Sequence, residues 1–306
     1  MEVQFSSENL LILNVILAFM MFGVSLSLTG EDFRRVLKRP DAPIVGLLAQ
    51  FVLLPAATCL TTWFFEVEPE MALGMILVAS CPGGSFSNIM TWLARANVAV
   101  SVSMTAISSL VAMVMTPFNF ALYGWLNPHT RSMLTEIQLD SMNILILVAL
   151  VLGLPLLVGM MTGKLFPRFA ARAEKPMRVI TLLVLLLFVG VAFGNNMDVF
   201  LATADRIVIL VVLQNLLALG MGAFAGGLTG LPRQDRRAIT MEVGIQNSGL
   251  GLAILFTFFP EASGMILIAA FWGVWHLVSG LLLAWWWSRG HDDRQNREGA
   301  PCDDAS

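Results

Sequence analysis

Apolar runs of about 20 residues recur along the whole chain, and that is the length an α-helix needs to cross a ~30 Å hydrocarbon core. Nine such runs are read, near 9–28, 42–65, 71–95, 97–126, 140–163, 177–197, 206–231, 236–259 and 262–288. Inside a bilayer every backbone N–H and C=O must be satisfied by the protein itself, so segments of this kind fold as helices. The expected fold is an all-α polytopic membrane protein of a single domain. Composition agrees, since 57% of the 306 residues are hydrophobic and 13% are charged. Soluble domains hold about 45–50% apolar and about 25% charged residues. A soluble domain and a disordered chain are both excluded. The first run starts Met1-Glu2, with no basic leader and no small-residue cleavage site, and is read as a true span.

Charge placement orients the spans. Sixteen of the 18 Lys and Arg residues fall in alternate connectors and in the final tail, while Arg131 and Arg206 alone fall in the others. Cytoplasmic loops are the Lys/Arg-rich ones. The N-terminus is therefore expected outside and the C-terminus in the cytoplasm. The tail, 289–306, is polar and is expected to be disordered. The opposite connectors are acidic or neutral, as in Glu66-Val67-Glu68-Pro69-Glu70. Cys59, Cys81 and Cys302 are too scattered for a disulfide framework or a zinc site. No Walker motif is present, which argues against ATP-driven work by this chain, and nothing points to a nucleic-acid partner.

Two spans are interrupted. The third carries Cys81-Pro82-Gly83-Gly84, followed by Ser85, Ser87, Asn88 and Thr91; the eighth carries Glu242, Gly244, Gln246, Asn247, Ser248 and Gly249. Pro82 removes a donor and disfavours helix at Cys81. Each interruption is preceded by a span with a buried-looking glutamine, Gln50 in one half and Gln214 in the other. The two broken spans run in opposite directions under the assigned topology. Paired, Gly/Pro-broken segments at corresponding positions point to an inverted repeat with a site near the midplane.

Glu242 is the acid nearest the middle of a span, and no Lys or Arg lies in a span core to neutralise it. A carboxylate at bilayer depth costs a few kcal/mol, so it marks an ion, a substrate path or a basic partner. Ser101, Ser103, Thr105, Ser108 and Ser109 add hydroxyls from the fourth span. Hydroxyl, amide, carboxylate and freed carbonyl oxygens together suit a hard cation such as sodium. Half-helix N-termini nearby favour an anionic group. The residues on their own read as an ion-coupled transporter.

The stretches Cys81-Pro82-Gly83-Gly84-Ser85-Phe86-Ser87-Asn88, Leu93-Ala94-Arg95-Ala96-Asn97 and Glu242-Val243-Gly244-Ile245-Gln246-Asn247-Ser248-Gly249 resemble the bile acid:sodium symporter family, in its bacterial form. Gln50 and Trp275-His276 fit the same pattern. The resemblance covers nearly the whole chain. It implies a panel domain (about 9–28 and 140–197) and a core domain (about 42–126 and 206–288) that holds two crossing broken helices. It also implies two coupled sodium ions and no further cofactor. The first ion would be held by Ser87, Asn88, Ser101, Thr105 and Glu242. The second would be held by Gln50, Glu242 and Gln246, with backbone carbonyls of Val243 and Ile245. Ser85, Asn247 and His276 would meet the substrate between core and panel. The activity implied is sodium-driven uptake of an organic anion across a bacterial inner membrane by alternating access, with a small carboxylate favoured over a steroid. The oligomeric state stays open, a monomer being compatible with all of this. Two positions depart from the family's usual pattern: Ala96 stands where glycine is common, and Leu277 where a polar residue is common.

Alternatives on the same fold are proton coupling or metalloid efflux through Cys81, and a sensor without turnover. An intramembrane enzyme is disfavoured, because Glu242 has no second midplane acid and His276 is the only histidine in a span. His276 is read either as a hydrogen-bonded packing residue or as a substrate contact. Trp285-Trp286-Trp287, just before Arg289, reads as an interfacial anchor.

Overall fold

The computed structural model of the chain describes residues 30–136 and 141–298, with scattered positions between 15 and 26. Every regular element among the described residues is a helix. The helices are α1 Gly30–Lys38, α2 Asp41–Phe64, α3 Pro69–Ser80, α4 Ser85–Leu93, α5 Val98–Leu126 and α6 Pro128–Glu136. They continue as α7 Ser141–Leu165, α8 Pro167–Asn195, α9 Met197–Leu228, α10 Arg233–Gly244, α11 Ser248–Phe258 and α12 Ser263–Glu298. Five of them are long and apolar enough to cross a membrane: α2, α5, α8, α9 and the Ser263–Arg289 part of α12. The first span read from sequence lies largely outside the described residues, though most of its described positions are helical.

The third and eighth spans are each two short helices, α3 with α4 and α10 with α11. Alone, the 12 residues of α3 or the 11 of α11 cannot cross the bilayer. At 1.5 Å per residue they reach about 16–18 Å. They are also the most deeply buried elements. Met71 to Ser80 and Ser248 to Phe256 are buried without a gap. α3 packs on α2, α5 and α12, and α11 packs on α12 and α8. Apolar side chains on α8, α9 and α12 point outward instead, Leu183, Leu187, Leu213, Leu216 and Leu282 among them. A hydrocarbon solvent makes that surface stable, where water would not.

Helix ends depart from the hydropathy reading in three places. α8 begins at Pro167 and α9 at Met197, about ten residues before the apolar runs assigned to them. In α8 Pro167 suits the first turn, and the Arg- and Ala-containing stretch after it propagates a helix beyond the hydrocarbon. α12 runs on to Glu298, so positions 289–298, expected as disordered tail, continue the helix. No proline stands between Ser263 and Glu298 to stop it. Positions 299–306 lie outside the described residues.

α2 is not regular throughout. Residues Ala49–Leu53 form a π-helical turn. Pro55 has no N–H to offer Phe51, four residues earlier, so the ladder slips there. The Asn119 side chain of α5 donates to the freed Phe51 carbonyl at 2.8 Å. Gln50 sits inside this turn, fully buried.

Candidate functional site: a helix crossover around Glu242

α3 stops where Pro82 forbids its continuation, and Cys81 is extended at φ −72°, ψ 156°. α10 stops at Gly244, and Ile245 leaves the helix at φ −118°, ψ 90°. Gly83 and Gln246 then pair as an antiparallel bridge. Gly84 N–H donates to Ile245 O at 2.8 Å, and Asn247 N–H donates to Pro82 O at 2.9 Å. Extended backbone therefore crosses extended backbone at the middle of the two interrupted spans. Both glycines are required by space. A Cβ on Gly83 would run into the Glu242 carboxyl, and one on Gly84 would lie 3.0 Å from the Gln246 carbonyl oxygen.

Each helix end frees carbonyls that lipid cannot satisfy. Polar side chains from neighbouring helices take them. Thr116 Oγ1 donates to Ser80 O at 2.8 Å, and Gln50 Nε2 donates to Cys81 O at 2.7 Å. At the other break, Gln246 Nε2 donates to Val243 O at 2.7 Å and Asn215 Nδ2 to Gly244 O at 2.9 Å. Gln214 Nε2 reaches Met75 O at 2.7 Å. Sequence symmetry matched Gln214 with Gln50. In contact terms, Asn215 does for α10 what Gln50 does for α3.

Glu242 is fully buried and accepts three hydroxyl hydrogen bonds. Ser87 Oγ and Ser101 Oγ donate to Oε2, the latter at 3.0 Å, and Thr105 Oγ1 donates to Oε1 at 2.7 Å. No cationic side chain is among these partners. Asn88 Oδ1 joins them, 2.8 Å from Ser101 Oγ and 3.3 Å from Thr105 Oγ1. All five residues assigned to the first ion therefore meet at one point. Oxygen atoms crowd the cluster, and Thr91 Oγ1 joins it by donating to Ser101 Oγ at 3.2 Å. Ser101 has one hydroxyl proton for two acceptors, Glu242 Oε2 and Asn88 Oδ1. Thr105 has one for three, Glu242 Oε1, Asn88 Oδ1 and the Ser101 carbonyl at 3.1 Å. A hydroxyl can serve a single acceptor fully. The remaining oxygen–oxygen contacts are those a small hard cation would satisfy. The set is one carboxylate with neutral hydroxyl and amide oxygens, which suits a hard, oxygen-bound cation better than a transition metal.

The second set is brought together in part. Gln50 Nε2 donates to Gln246 Oε1 at 2.6 Å, and Val243 O is held by Gln246. Gln50 Oε1 is buried and has no hydrogen-bond donor. Ile245 O is taken by Gly84 N–H in the crossover. Glu242 is hydrogen-bonded to the first set and makes no hydrogen bond to Gln50 or Gln246.

A small cleft opens beside the crossover, and Ser85, Asn247 and His276 are in its lining. Thr181 and Leu185 of α8 complete one wall, and neither was singled out in the sequence. Thr181 sits in an apolar helix where an isolated threonine reads as packing. His276 is 1% exposed, and neither ring nitrogen has a hydrogen-bond partner in the protein. Ser248 Oγ is likewise buried and unpartnered. The N-termini of α4 and α11, at Ser85 and Ser248, both open on this cleft. Cys81 is fully buried, lies outside the cleft lining, and offers only its carbonyl to the site. Trp285 and Trp286 are exposed, with the Arg289 guanidinium 4.0 Å from the Trp285 ring centre.

Fold and site together define an all-helical membrane protein organised around two interrupted, crossing helices. The family described as the Sodium Bile acid symporter family matches residues 14–203. The chain belongs to that family. It is 32% identical over 279 residues to the uncharacterized sodium-dependent transporter YocS of Bacillus subtilis, covering 90% of this chain and 83% of that protein. It is 30% identical to the probable sodium/metabolite cotransporter BASS1, chloroplastic, of Arabidopsis thaliana, covering 89% of this chain and 66% of the plant protein. The ileal sodium/bile acid cotransporter of Homo sapiens is 27% identical, with 83% of this chain and 72% of the human protein covered.

Proposed function

We propose that the chain is a secondary active symporter that couples inward sodium flow to uptake of an organic anion by alternating access. One observation carries the reading: a buried carboxylate, with no cationic side chain among its hydrogen-bond partners, at the centre of an oxygen-rich cluster on a helix crossover. Burying that charge costs several kcal/mol unless a counter-charge arrives. Sodium supplies it in the first site, formed by Ser87, Asn88, Ser101, Thr105 and Glu242. A second sodium is assigned to Gln50, Gln246, Glu242 and the carbonyls of Val243 and Ile245, for which the unpartnered Gln50 Oε1 is support. Relatives that carry sodium and an organic solute in their names agree with this reading.

The anion binds in the cleft beside the crossover. Two helix N-termini supply partial positive charge there. Ser85, Asn247, His276 and Thr181 supply donors without any charged side chain. The first cation thus sits among side-chain oxygens of α4, α5 and α10, and the anion at the N-termini of α4 and α11. Nine spans, an inverted-repeat core and a panel that includes α7 and α8 complete the reading. The N-terminus lies outside, the C-terminus lies in the cytoplasm, and the membrane is a bacterial inner membrane. Substitution of Glu242 or Gln246 by alanine abolishes sodium-dependent uptake in proteoliposomes while the protein still inserts. Normal sodium-coupled uptake by both variants refutes the site.

A further inference from the structure

The Leu93-Ala94-Arg95-Ala96-Asn97 stretch supplies no side chain to the ion cluster or the cleft and meets the cluster only through the backbone, Ser101 N–H donating to Asn97 O at 3.2 Å, yet it is built at some cost. α4 ends there in a Schellman cap, with Arg95 N–H donating to Trp92 O and Ala96 N–H to Thr91 O, both at 3.0 Å. The cap forces Arg95 to φ 51°, a left-handed conformation that costs a side-chain-bearing residue roughly 1–2 kcal/mol. Two residues later, Asn97 is bonded through every polar group it has. Its Oδ1 accepts from Ala99 N–H at 3.1 Å and Val100 N–H at 3.3 Å, capping α5. Its Nδ2 donates to Asp235 Oδ1 at 2.6 Å, and its backbone N–H donates to Gln234 O at 3.2 Å. Asp235 and Gln234 lie in the first turn of α10. A second tie runs alongside, where Arg237 Nη1 donates to Ala94 O at 3.3 Å and stacks 4.9 Å over the Trp287 ring of α12.

The three helices that meet at Asn97 are the three that carry the ion cluster. Ser87 and Asn88 ride on α4, Ser101 and Thr105 on α5, and Glu242 on α10. Asn97 closes α4, starts α5 and holds α10 through Asp235. Each of the three is a rigid rod, so their relative register at this end decides whether five oxygens meet at the other.

We propose that Asn97 and Asp235 are positioning residues for the first sodium site, a latch that sets the spacing of its ligands from one to two helical turns away. The inference rests on the sodium-coupled reading above and assigns no ligand role to either residue. A charge-assisted bond of this kind is worth enough for its loss to weaken a site by about five- to tenfold, after discount for partial exposure.

Asn97→Asp tests it selectively. Aspartate caps α5 as well as asparagine does, but it removes the Nδ2 donor and sets a carboxylate against Asp235. The reciprocal double variant N97D/D235N restores one donor and one acceptor with the order reversed. The measurement is the melting temperature of detergent-purified protein as sodium chloride replaces choline chloride. Wild type gives a sodium-dependent rise with a defined half-saturating concentration. N97D is expected to raise that concentration about five- to tenfold, and the double variant to return it toward wild type. Melting in choline reads out structural damage separately. Should N97D fail to fold, Asp235→Ala leaves the cap intact and carries the same expectation. Wild-type sodium dependence in N97D or in Asp235→Ala overturns the latch, as does failure of the double variant to recover. Absence of any sodium effect in wild type overturns the sodium-coupled reading itself.

Discussion

Replacing Gly83 by alanine moves the central carboxylate without touching its chemistry. Gly83 has no left-handed φ, so backbone conformation does not demand glycine there. A Cβ at this position would lie 2.6 Å from Glu242 Cδ and 3.0 Å from Cγ, and closer still to Oε1. Carbon atoms in contact rest at about 3.5–4.0 Å, so the carboxyl must retreat by roughly 1 Å. The oxygens around it cannot follow, because Ser101 and Thr105 sit on the regular helix α5 and Ser87 on α4. A misplacement of about 1 Å can cost 100-fold where function needs fixed geometry. The half-saturating sodium concentration is expected to rise about 10- to 100-fold, with a stability loss of about 1–3 kcal/mol from overpacking. Gly251→Ala in α11 is the matched control. Its Cβ meets only Cys81 Sγ at 3.6 Å, an ordinary contact. Mid-helix alanine even favours the helix by roughly 0.5–1 kcal/mol. Both variants are compared by sodium titration of thermal stability and by sodium-dependent uptake. An unchanged sodium response in Gly83→Ala refutes the argument that this glycine exists to admit the carboxyl.

Other expectations follow from single contacts. Asn119→Leu leaves the Phe51 carbonyl buried without a donor and is expected to destabilise by about 1–3 kcal/mol in thermal unfolding, while Gln50 loses its fixed place in the π-helical turn. Gly84→Ala presses a Cβ to 3.0 Å from the Gln246 carbonyl oxygen, which backbone pairing holds in place. It is expected to fail in transport even at saturating sodium, as uptake assays with a broad salt range can show. His276→Ala and Thr181→Val are expected to raise the KM for the transported anion, leaving the sodium response of the substrate-free protein intact in melting assays.

The interruptions themselves were legible in the sequence. Proline and glycine at 82–84, and polar residues at 242–249, stand out against apolar surroundings, and the structure breaks its helices at both places. Glu242 was legible for the same reason, polar groups being scarce in such a chain, whereas the choice of Ser87, Asn88, Ser101 and Thr105 among the many nearby hydroxyls and amides came from the family resemblance. What closes the freed carbonyls was not. Thr116, Asn215 and Asn119 act on residues 29 to 68 positions away, and an isolated amide or hydroxyl in a span reads as helix packing. The π-helical turn has a local cause in Pro55, but its consequence appears only when α5 brings Asn119 against it. Hydropathy could not place the starts of α8 and α9 either, since a helix continues past the hydrocarbon wherever propensity allows.

In the proposed transport cycle Glu242 gains a sodium ion as its counter-charge. Equilibrium binding of radioactive sodium to purified protein tests it without any knowledge of the anion. Saturable binding is expected in wild type and is lost in Glu242→Ala, with the variant still folded by thermal melting. Absence of saturable binding in wild type, or equal binding in the folded variant, contradicts it.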